Sequence, residues 1–362
     1  QLCADVFSEG KYVDGYRDNY IGNSHYDWNV SRIVLEGDKL IHHWGVWGYQ
    51  MRLESVQLKV AGIGAVATHP DHRKQGVMHR AANASFAAML QDGYDLSILR
   101  GRHYVKMGYA RAWNYVTYKL KLEELPAGEP KAYQPLQPEQ VAEMDALYNR
   151  THADFTGTAI RPTYRLRHPE DIGVYAWFDK DGKLEGYIRA FPAEDNPKVL
   201  ICQEAAGDPR QGLAILADLF KKGEYESLAF FTLPHAHPML QLLRRGACIV
   251  EDRYFDISGW RVKLINLSST LHKLVPLFEA RLAQSHFAGW QGSLLLDAGN
   301  QQANLEIREG KVEIEPASAV ANRLHGGADI ARLLIGSDEP EEIMGQAGME
   351  TRGLALPLVR VL

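Results

Sequence analysis

One stretch in the first third of the chain constrains the fold more than any other, residues 60–80 with the sequence VAGIGAVATHPDHRKQGVMHR. Its first half is small and apolar, which predicts a strand buried on both faces. Pro70 ends that strand and a short polar turn follows. A helix comes next, because apolar residues recur at helical spacing through residues 78–90. A buried strand that leads through a turn into an amphipathic helix predicts an α/β fold.

Prolines divide the chain. Pro126, Pro130, Pro135 and Pro138 interrupt any regular element and predict a linker. A weaker boundary falls at residues 259–261, after a strand-like segment. The predicted segments are therefore 1–125, 126–260 and 261–362.

Each segment mixes strands with helices. The first has strands in RIVLEGDKLIHHWGVWGYQMRL, YDLSILR and NYVTYKLKL besides the stretch above. The second shows strands between the helical segments EQVAEMDALYNRTHA and GLAILADLFKK. The third begins with the helix LVPLFEARLAQ, continues with short alternating strands, and is predicted to be a small α+β unit.

Composition excludes several classes of protein. Lys and Arg number 40 against 45 Asp and Glu, a net charge of −5, so no overall basic field draws the chain to nucleic acid. Cys3, Cys202 and Cys248 are too few and too widely spaced for a disulfide framework. No apolar run reaches the roughly 18–20 residues of a membrane helix. We expect a cytoplasmic protein whose natural start lies before Gln1, and the sequence leaves open whether Leu362 is the natural C-terminus.

The turn before the predicted helix has the features of a diphosphate site. The first N–H groups of a helix have no internal partner and carry positive potential. Gly76 permits a close approach of the backbone to a phosphate. Basic or titratable side chains cluster at the same place: His72, Arg73, Lys74, His79 and Arg80. The alternative is an ordinary strand-to-helix turn with solvated charges.

The sequence Arg73-Lys74-Gln75-Gly76-Val77-Met78 resembles motif A of the GCN5-related N-acetyltransferases (GNAT), Arg/Gln-x-x-Gly-x-Gly/Ala. Met78 departs from the small residue of that pattern. With RHYVKMGYARA after the next strand and three segments in the chain, it is similar to the enhanced-intracellular-survival (Eis) branch. The resemblance implies two tandem acetyltransferase-fold domains and then a small sterol-carrier-like α+β domain. It also implies a trimer or hexamer.

The resemblance further implies an acetyl-CoA site. Backbone groups of one strand would pair with the pantetheine arm: Val66, Ala67 and Thr68. The diphosphate would be held by Arg73, Lys74, Gln75, Gly76, Val77, Met78 and His79. Leu99 and Arg100, at the end of the following strand, would flank the thioester, although an arginine is unexpected there.

Proton transfer needs an acid and a base. Tyr104 matches the family's tyrosine in Tyr-x-x-x-Gly-Tyr, and a phenol can protonate a departing thiolate. In Eis-like proteins the C-terminal carboxylate acts as the base, here that of Leu362 if the chain ends there. Asp27 and Glu54 are internal alternatives, for which a solvated carboxylate is the competing interpretation.

An aromatic pocket for the amine is predicted from Tyr26, Asp27, Trp28 and Trp44, with Trp47 nearby. Aromatic walls beside a carboxylate suit cationic amines. Core packing of the tryptophans is the alternative.

Two further patterns are set aside. His42-His43 and His235-x-His237 have no clear third ligand, so no metal site is predicted. The sequence at 208–212, DPRQG, looks like an eroded motif A, which predicts a second domain without its own cofactor.

The hypothesis is an acetyl-CoA-dependent N-acetyltransferase that acts on a small-molecule or peptide amine by direct attack. The alternatives are a non-catalytic acyl-CoA sensor and a lipid carrier that acts through residues 261–362.

Overall fold

The computed structural model describes residues 1–21, 25–125, 128–163, 173–255, 258–336, 338–345, 349–352 and 361. In these ranges the α-helices are α1 (Leu2–Ser8), α2 (Val13–Gly15), α3 (Val77–Gln91), α4 (Val141–Thr151), α5 (Pro209–Lys222), α6 (Pro238–Arg244), α7 (Leu267–Gln284), α8 (Asp329–Ile335) and α9 (Pro340–Met344). None of the helices described is both long and apolar enough to cross a membrane.

The strands alternate with these helices, and the predicted α/β class is confirmed. They are β1 (Arg32–Glu36), β2 (Lys39–Leu53), β3 (Val56–Thr68), β4 (Leu96–Arg100), β5 (Ala110–Arg111), β6 (Tyr115–Leu120), β7 (Tyr133–Pro135), β8 (Val174–Phe178), β9 (Leu184–Pro192), β10 (Val199–Ala206), β11 (Ser227–Phe231), β12 (Ile249–Arg253), β13 (Trp260–Leu264), β14 (Gly292–Asp297), β15 (Gln302–Arg308), β16 (Lys311–Pro316), β17 (Asn322–His325) and β18 (Glu350–Arg352).

Three mixed sheets contain these strands. The first has the order β1-β2-β3-β4-β13-β5, the second β12-β6-β11-β10-β9-β8-β7, and the third β16-β15-β14-β17-β18. The chain forms two compact units, residues 1–113 with 255–362, and residues 114–254.

One strand lies in a different sheet from the one predicted. The sequence assigned NYVTYKLKL to the first segment, but β6 pairs with β11 and β12 in the second sheet. The place beside β4 in the first sheet is taken by β13, a strand from much later in the chain. An alternating strand suits either sheet, so the local pattern could not decide between them.

The first sheet is covered by helices on both faces because its strands present apolar residues to each side. Val60 of β3 faces a core formed with α7, whereas the next residue, Ala61, faces a core formed with α3. The α7 core continues into the third sheet through residues such as Leu294, Leu296 and Leu305. The third sheet therefore shares a core with the first sheet in the same compact unit.

Candidate functional site

The strands β3 and β4 separate before either of them ends. Their parallel pairing runs from Val60 opposite Leu96 to Gly62 opposite Ile98. β3 continues to Thr68, and no described strand pairs with residues 63–68 on the β4 side. An unpaired strand edge can bind an extended ligand through main-chain hydrogen bonds. The predicted pantetheine-binding residues 66–68 all lie on this edge.

A β-bulge lies at the same place. β3 has one residue more than β2 there, so both Ala65 and Val66 lie opposite Trp44. Ala65 has a φ of +48°, in the left-handed region that residues with a Cβ rarely adopt. A bulge leaves its extra residue outside the regular ladder and turns the peptide groups beside it.

A histidine on β2 contacts this bulge. The Nδ1 atom of His43 is 2.7 Å from the carbonyl oxygen of Ala65, and its Nε2 atom is 2.8 Å from the hydroxyl of Tyr26. The thiol of Cys3, on α1, is 3.7 Å from the same carbonyl. Burial lowers the pKa of His43, which favours the neutral imidazole.

The loop between β3 and α3 is shaped by its own side chains. Residues Pro70–His72 form a single 3₁₀ turn. The Nε atom of Arg73 donates to the carbonyl of Thr68 at 3.3 Å, and the amide of the Gln75 side chain donates to the carbonyl of Asp71 at 2.9 Å. The loop therefore folds back on the end of β3.

The helix α3 begins without a capping side chain. Its N-cap is Gly76, at a φ of +75°, and Lys74 before it has a φ of +60° and is exposed. The first intrahelical bond runs from the Arg80 amide to the Gly76 carbonyl. Three amides of the first turn thus have no acceptor within the helix: those of Val77, Met78 and His79. This arrangement suits an anion.

Tyr104 lies next to these elements, in a 3₁₀ helix that spans Arg102–Met107. Its ring packs edge-on against Trp44, with centroids 5.9 Å apart, and against Tyr109 at 6.2 Å. Burial raises the pKa of Tyr104, so its hydroxyl stays protonated at neutral pH. The hydroxyl of Tyr109 instead bonds to Ser97 in the core.

The two residues at the end of β4 differ in environment. Leu99 is buried in the core under α3. Arg100 is exposed; its Nε donates to the carbonyl of Ser258 at 3.2 Å and its guanidinium lies 5.5 Å from the ring centre of Trp260. Of the two, Leu99 is the one that packs in the same core as Tyr104.

The predicted aromatic pocket is divided between the two faces of the sheet. Trp44 is fully buried on the α3 face. Tyr26 is buried beside His43, on the opposite face, and contacts Trp28 edge-on at 4.6 Å. Trp28 is 69% exposed, and the edge of the Trp47 ring packs against Tyr26. The structure thus groups Tyr26, Trp28 and Trp47 and separates Trp44 from them.

Both internal carboxylates weighed as bases have partners. Asp27 accepts hydrogen bonds from the Tyr94 hydroxyl at 2.6 Å and the Asn29 amide at 2.9 Å. Glu54 accepts one from Arg281 at 2.7 Å. Leu362, the predicted source of the basic carboxylate, lies outside the described residues. Within the described ranges no group of three or more His, Cys, Asp or Glu side chains is placed to hold a metal ion.

His43 is not among the site residues predicted from the sequence, where His42-His43 is considered only as a metal-binding pair. Alternation along a strand already places neighbouring residues on opposite faces. His42 and His43 therefore lie on opposite faces of the first sheet, and each is buried against what covers its own face. That signal could have identified His43 as a partner for a buried polar group, although not the bulge that it contacts.

Comparisons with known proteins agree with this geometry. Residues 1–112 match a family model described as an acetyltransferase (GNAT) domain. No curated protein matches the chain in sequence.

Several solved structures share the fold. A probable N-acyltransferase from Enterococcus faecalis has a TM-score of 0.74 and 16% identity, over 99% of this chain and 91% of that one. A GCN5-related N-acetyltransferase from Anabaena variabilis has a TM-score of 0.73 and 14% identity, over 100% and 92%. Eis1 from Mycobacterium abscessus has a TM-score of 0.66 and 15% identity, over 98% and 92%. The chain therefore has the fold of these proteins from end to end, and its first 112 residues match a GNAT acetyltransferase domain.

Proposed function

We propose that the chain is an acetyl-CoA-dependent N-acetyltransferase that transfers an acetyl group to a primary amine in a ternary complex. The observation that supports this most is the combination of an unpaired edge on β3 with an uncapped start of α3. Tyr104, a partly buried and protonated phenol, packs against the core under α3.

The described residues fit a CoA molecule. The edge at 66–68 offers main-chain groups to the amides of a pantetheine arm. The free amides at the start of α3 and the exposed side chain of Lys74 suit a diphosphate. A side chain at position 76 would need a strained backbone, which explains why a glycine precedes the helix.

The coenzyme assignment predicts a ligand-dependent loss of affinity. In the double variant Arg73→Ala, Lys74→Ala, we expect the affinity for CoA to fall about tenfold, since two charges near the diphosphate are removed. Affinity for a pantetheine fragment without the diphosphate should change less than twofold. Calorimetric titration of both ligands checks this. Arg210→Ala, at the start of α5, serves as the control and should leave both affinities unchanged; equal losses for the two ligands would remove the diphosphate assignment.

Acyl transfer requires that the amine nitrogen bond to the thioester carbon, that the carbon–sulfur bond break, and that one proton leave the nitrogen while another reaches the sulfur. The Tyr104 hydroxyl would donate the proton to the sulfur. The carboxylate of Leu362, if it is the natural terminus, would take the proton from the amine. Asp27 and Glu54 suit that task less well because each already accepts hydrogen bonds from other side chains.

Tyr104→Phe tests the catalytic role. We expect kcat to fall by about 10²–10⁴, the usual contribution of a positioned acid, while the affinity for acetyl-CoA stays within about twofold. The measurement is thiol release across a broad panel of amines. Tyr109→Phe is the control, since it removes the hydroxyl of a neighbouring, more deeply buried tyrosine whose partner is Ser97. An unchanged kcat in Tyr104→Phe would contradict the role.

Two alternatives have distinct outcomes in the same experiments. A non-catalytic acyl-CoA sensor would bind acetyl-CoA but release no thiol with any amine. A lipid carrier that acts through residues 261–362 would co-purify with lipid rather than CoA, which native mass spectrometry detects.

Several wider expectations belong to the same proposal. The chain would comprise three domains, predicted at 1–125, 126–260 and 261–362 except that β6 belongs with the second and β13 with the first; the second would lack a cofactor and the third would be similar to a sterol carrier. It would form a homo-oligomer, a trimer or hexamer, in the cytoplasm. Sedimentation velocity measures the oligomeric state directly.

A further inference from the structure

The carbonyl of Ala65 is held from the α1 side of the first sheet. Among the described residues, His43 and Cys3 contact its oxygen through their side chains, at 2.7 and 3.7 Å. His43 lies on the opposite face of β2 from Trp44, since the two are neighbours in the strand. Trp44 packs with Tyr104 in the core under α3.

The hydrogen bonds of His43 determine its tautomer. A carbonyl oxygen can only accept, so Nδ1 of His43 carries the hydrogen and donates to Ala65. Nε2 then has a free lone pair and accepts from the hydroxyl of Tyr26. Both ring nitrogens are thereby used, and His43 and Tyr26 are each 5% exposed. Burial also raises the pKa of the Cys3 thiol to about 11, so the third group at this place stays neutral.

Because a peptide group is planar, fixing the direction of the Ala65 C=O also fixes the direction of the Val66 N–H. The C=O of Ala65 and the N–H of Val66 belong to one peptide group and point in opposite directions when it is trans. If the carbonyl is fixed toward His43, the Val66 N–H points away from His43, toward the side on which Tyr104 lies. The left-handed φ of Ala65 is a strained conformation that needs such support.

We propose that His43, which donates from Nδ1 to the Ala65 carbonyl and is supported at Nε2 by Tyr26, is a positioning residue that orients the Val66 N–H toward the carbonyl of the acyl donor. A preorganised amide donor stabilises the negative charge that develops on this oxygen during acyl transfer. His43 itself touches no substrate in this role and transfers no proton. The inference rests on the proposed function and adds to it the residues that fix the donor.

The experiment uses the full chain and four variants. His43→Leu removes the donor to Ala65. His43→Asn keeps one, because the Asn side-chain nitrogen lies where Nδ1 of the ring lies. Tyr26→Phe removes the hydroxyl that bonds to Nε2 and helps to hold the His43 ring in place. His237→Leu is the control, because His237 is also a buried histidine that bonds to a strand carbonyl, that of Ala205 on β10 at 3.2 Å.

Two readouts separate positioning from a loss of structure. The first is the infrared C=O stretch of protein-bound acetyl-CoA labelled with ¹³C at the carbonyl. The second is kcat with acetyl-CoA beside the affinity for free CoA, which has no acyl carbonyl. We expect the wild type to lower the stretching frequency, and His43→Leu to abolish most of that shift with a fall in kcat of about 10²-fold. Affinity for CoA should stay within twofold, and His43→Asn should recover about tenfold in kcat.

The results test the proposed function and the positioning role of His43 separately. If the wild type does not bind acetyl-CoA, the proposed function fails. If it binds, and the frequency is the same in wild type and His43→Leu, the positioning role is overturned. A loss of kcat in His237→Leu as large as in His43→Leu would likewise overturn it. If His43→Leu does not fold, Tyr26→Phe decides: a several-fold lower kcat with a reduced shift supports the role, and an unchanged shift contradicts it.

Discussion

The strands β3 and β10 are built alike, one in each compact unit. Each pairs antiparallel with the strand before it and parallel with a later strand, and each has a bulge just after the parallel pairing ends. For β10 the last parallel pair is Cys202 with Phe230, and the extra residue is Gln203. A helix follows each strand, α3 in the first case and α5 in the second.

The two helices begin differently. Gly76 caps α3 and offers no side chain to its first amides. Asp208 caps α5, and its carboxylate accepts a hydrogen bond from the Arg210 amide at 2.9 Å. A carboxylate of the chain itself thus occupies the place where an external anion would bind.

The surroundings of the two bulges also differ. The bulge on β3 lies beside neutral side chains, which include His43 and Tyr26. Beside the second, Glu204 accepts hydrogen bonds from both Arg161 and the hydroxyl of Tyr187. Burial raises the pKa of Glu204, but these partners lower it to about 2. The comparison teaches that the same topology can leave a helix start uncapped in one unit and satisfy it with the chain's own charges in the other.

Breaking the ion pair of the second region should have the largest effect on stability. In Arg161→Ala, Glu204 would be left as a buried carboxylate without its guanidinium, which costs about 3–5 kcal/mol. Urea denaturation measures the change. Lys131→Ala, which removes a more exposed pair with Glu185, should cost less than about 1 kcal/mol. CoA affinity should be unaffected at temperatures where Arg161→Ala is folded, and a loss of affinity would break the comparison.

Acid should weaken both regions, because each contains a buried neutral histidine. Burial lowers the pKa of His42 and of His152 to about 4. An unfolded chain takes up these protons near pH 6.5, so the stability from each histidine is complete above that pH. The free energy of unfolding then declines as the pH falls toward 4, by about 3 kcal/mol for each histidine.

Urea denaturation between pH 7 and 4 tests this. His42→Gln should lose about 3 kcal/mol less than the wild type over that range. Equal pH dependence in His42→Gln and the wild type would contradict the expectation.

The smallest expected effect on stability comes from replacing a glycine of positive φ, and two such glycines distinguish backbone strain from a loss of ligand binding. Gly76 and Gly182 have φ values of +75° and +79°, so an alanine at either should cost about 1 kcal/mol of stability. Only Gly76 precedes α3, and Gly76→Ala should also weaken CoA binding about tenfold. Denaturation and calorimetric titration of both variants check this. A similar loss of affinity in Gly182→Ala would mean that the effect at Gly76 is general strain.

The sequence predicted the elements of the site well because their signals are local. The apolar run before Pro70 predicts β3, and the apolar spacing of residues 78–90 predicts α3; both are confirmed. The helix in the third segment begins earlier than predicted. Asn266 caps α7 by accepting from the Ser269 amide, and the helix runs through Pro276.

Non-local features could not be predicted from the sequence. Ala65 gives no sign of a left-handed conformation, because that conformation results from the register of β3 against β2. The bond between His43 and Ala65 depends on the same register. The positions of β6 and β13 depend on pairing with strands that are distant in sequence, β11 for β6 and β4 for β13.

The position of β13 has a consequence for how the protein is made. Trp260–Leu264 lies between β4 and β5 and bonds to both. During translation the first sheet therefore stays incomplete, with a gap between β4 and β5, until the ribosome has released residue 264. A fragment that stops at residue 125 would expose the backbone of two strands to neighbouring chains, which favours aggregation. The first sheet is therefore completed only after the strands of the second sheet have been synthesised.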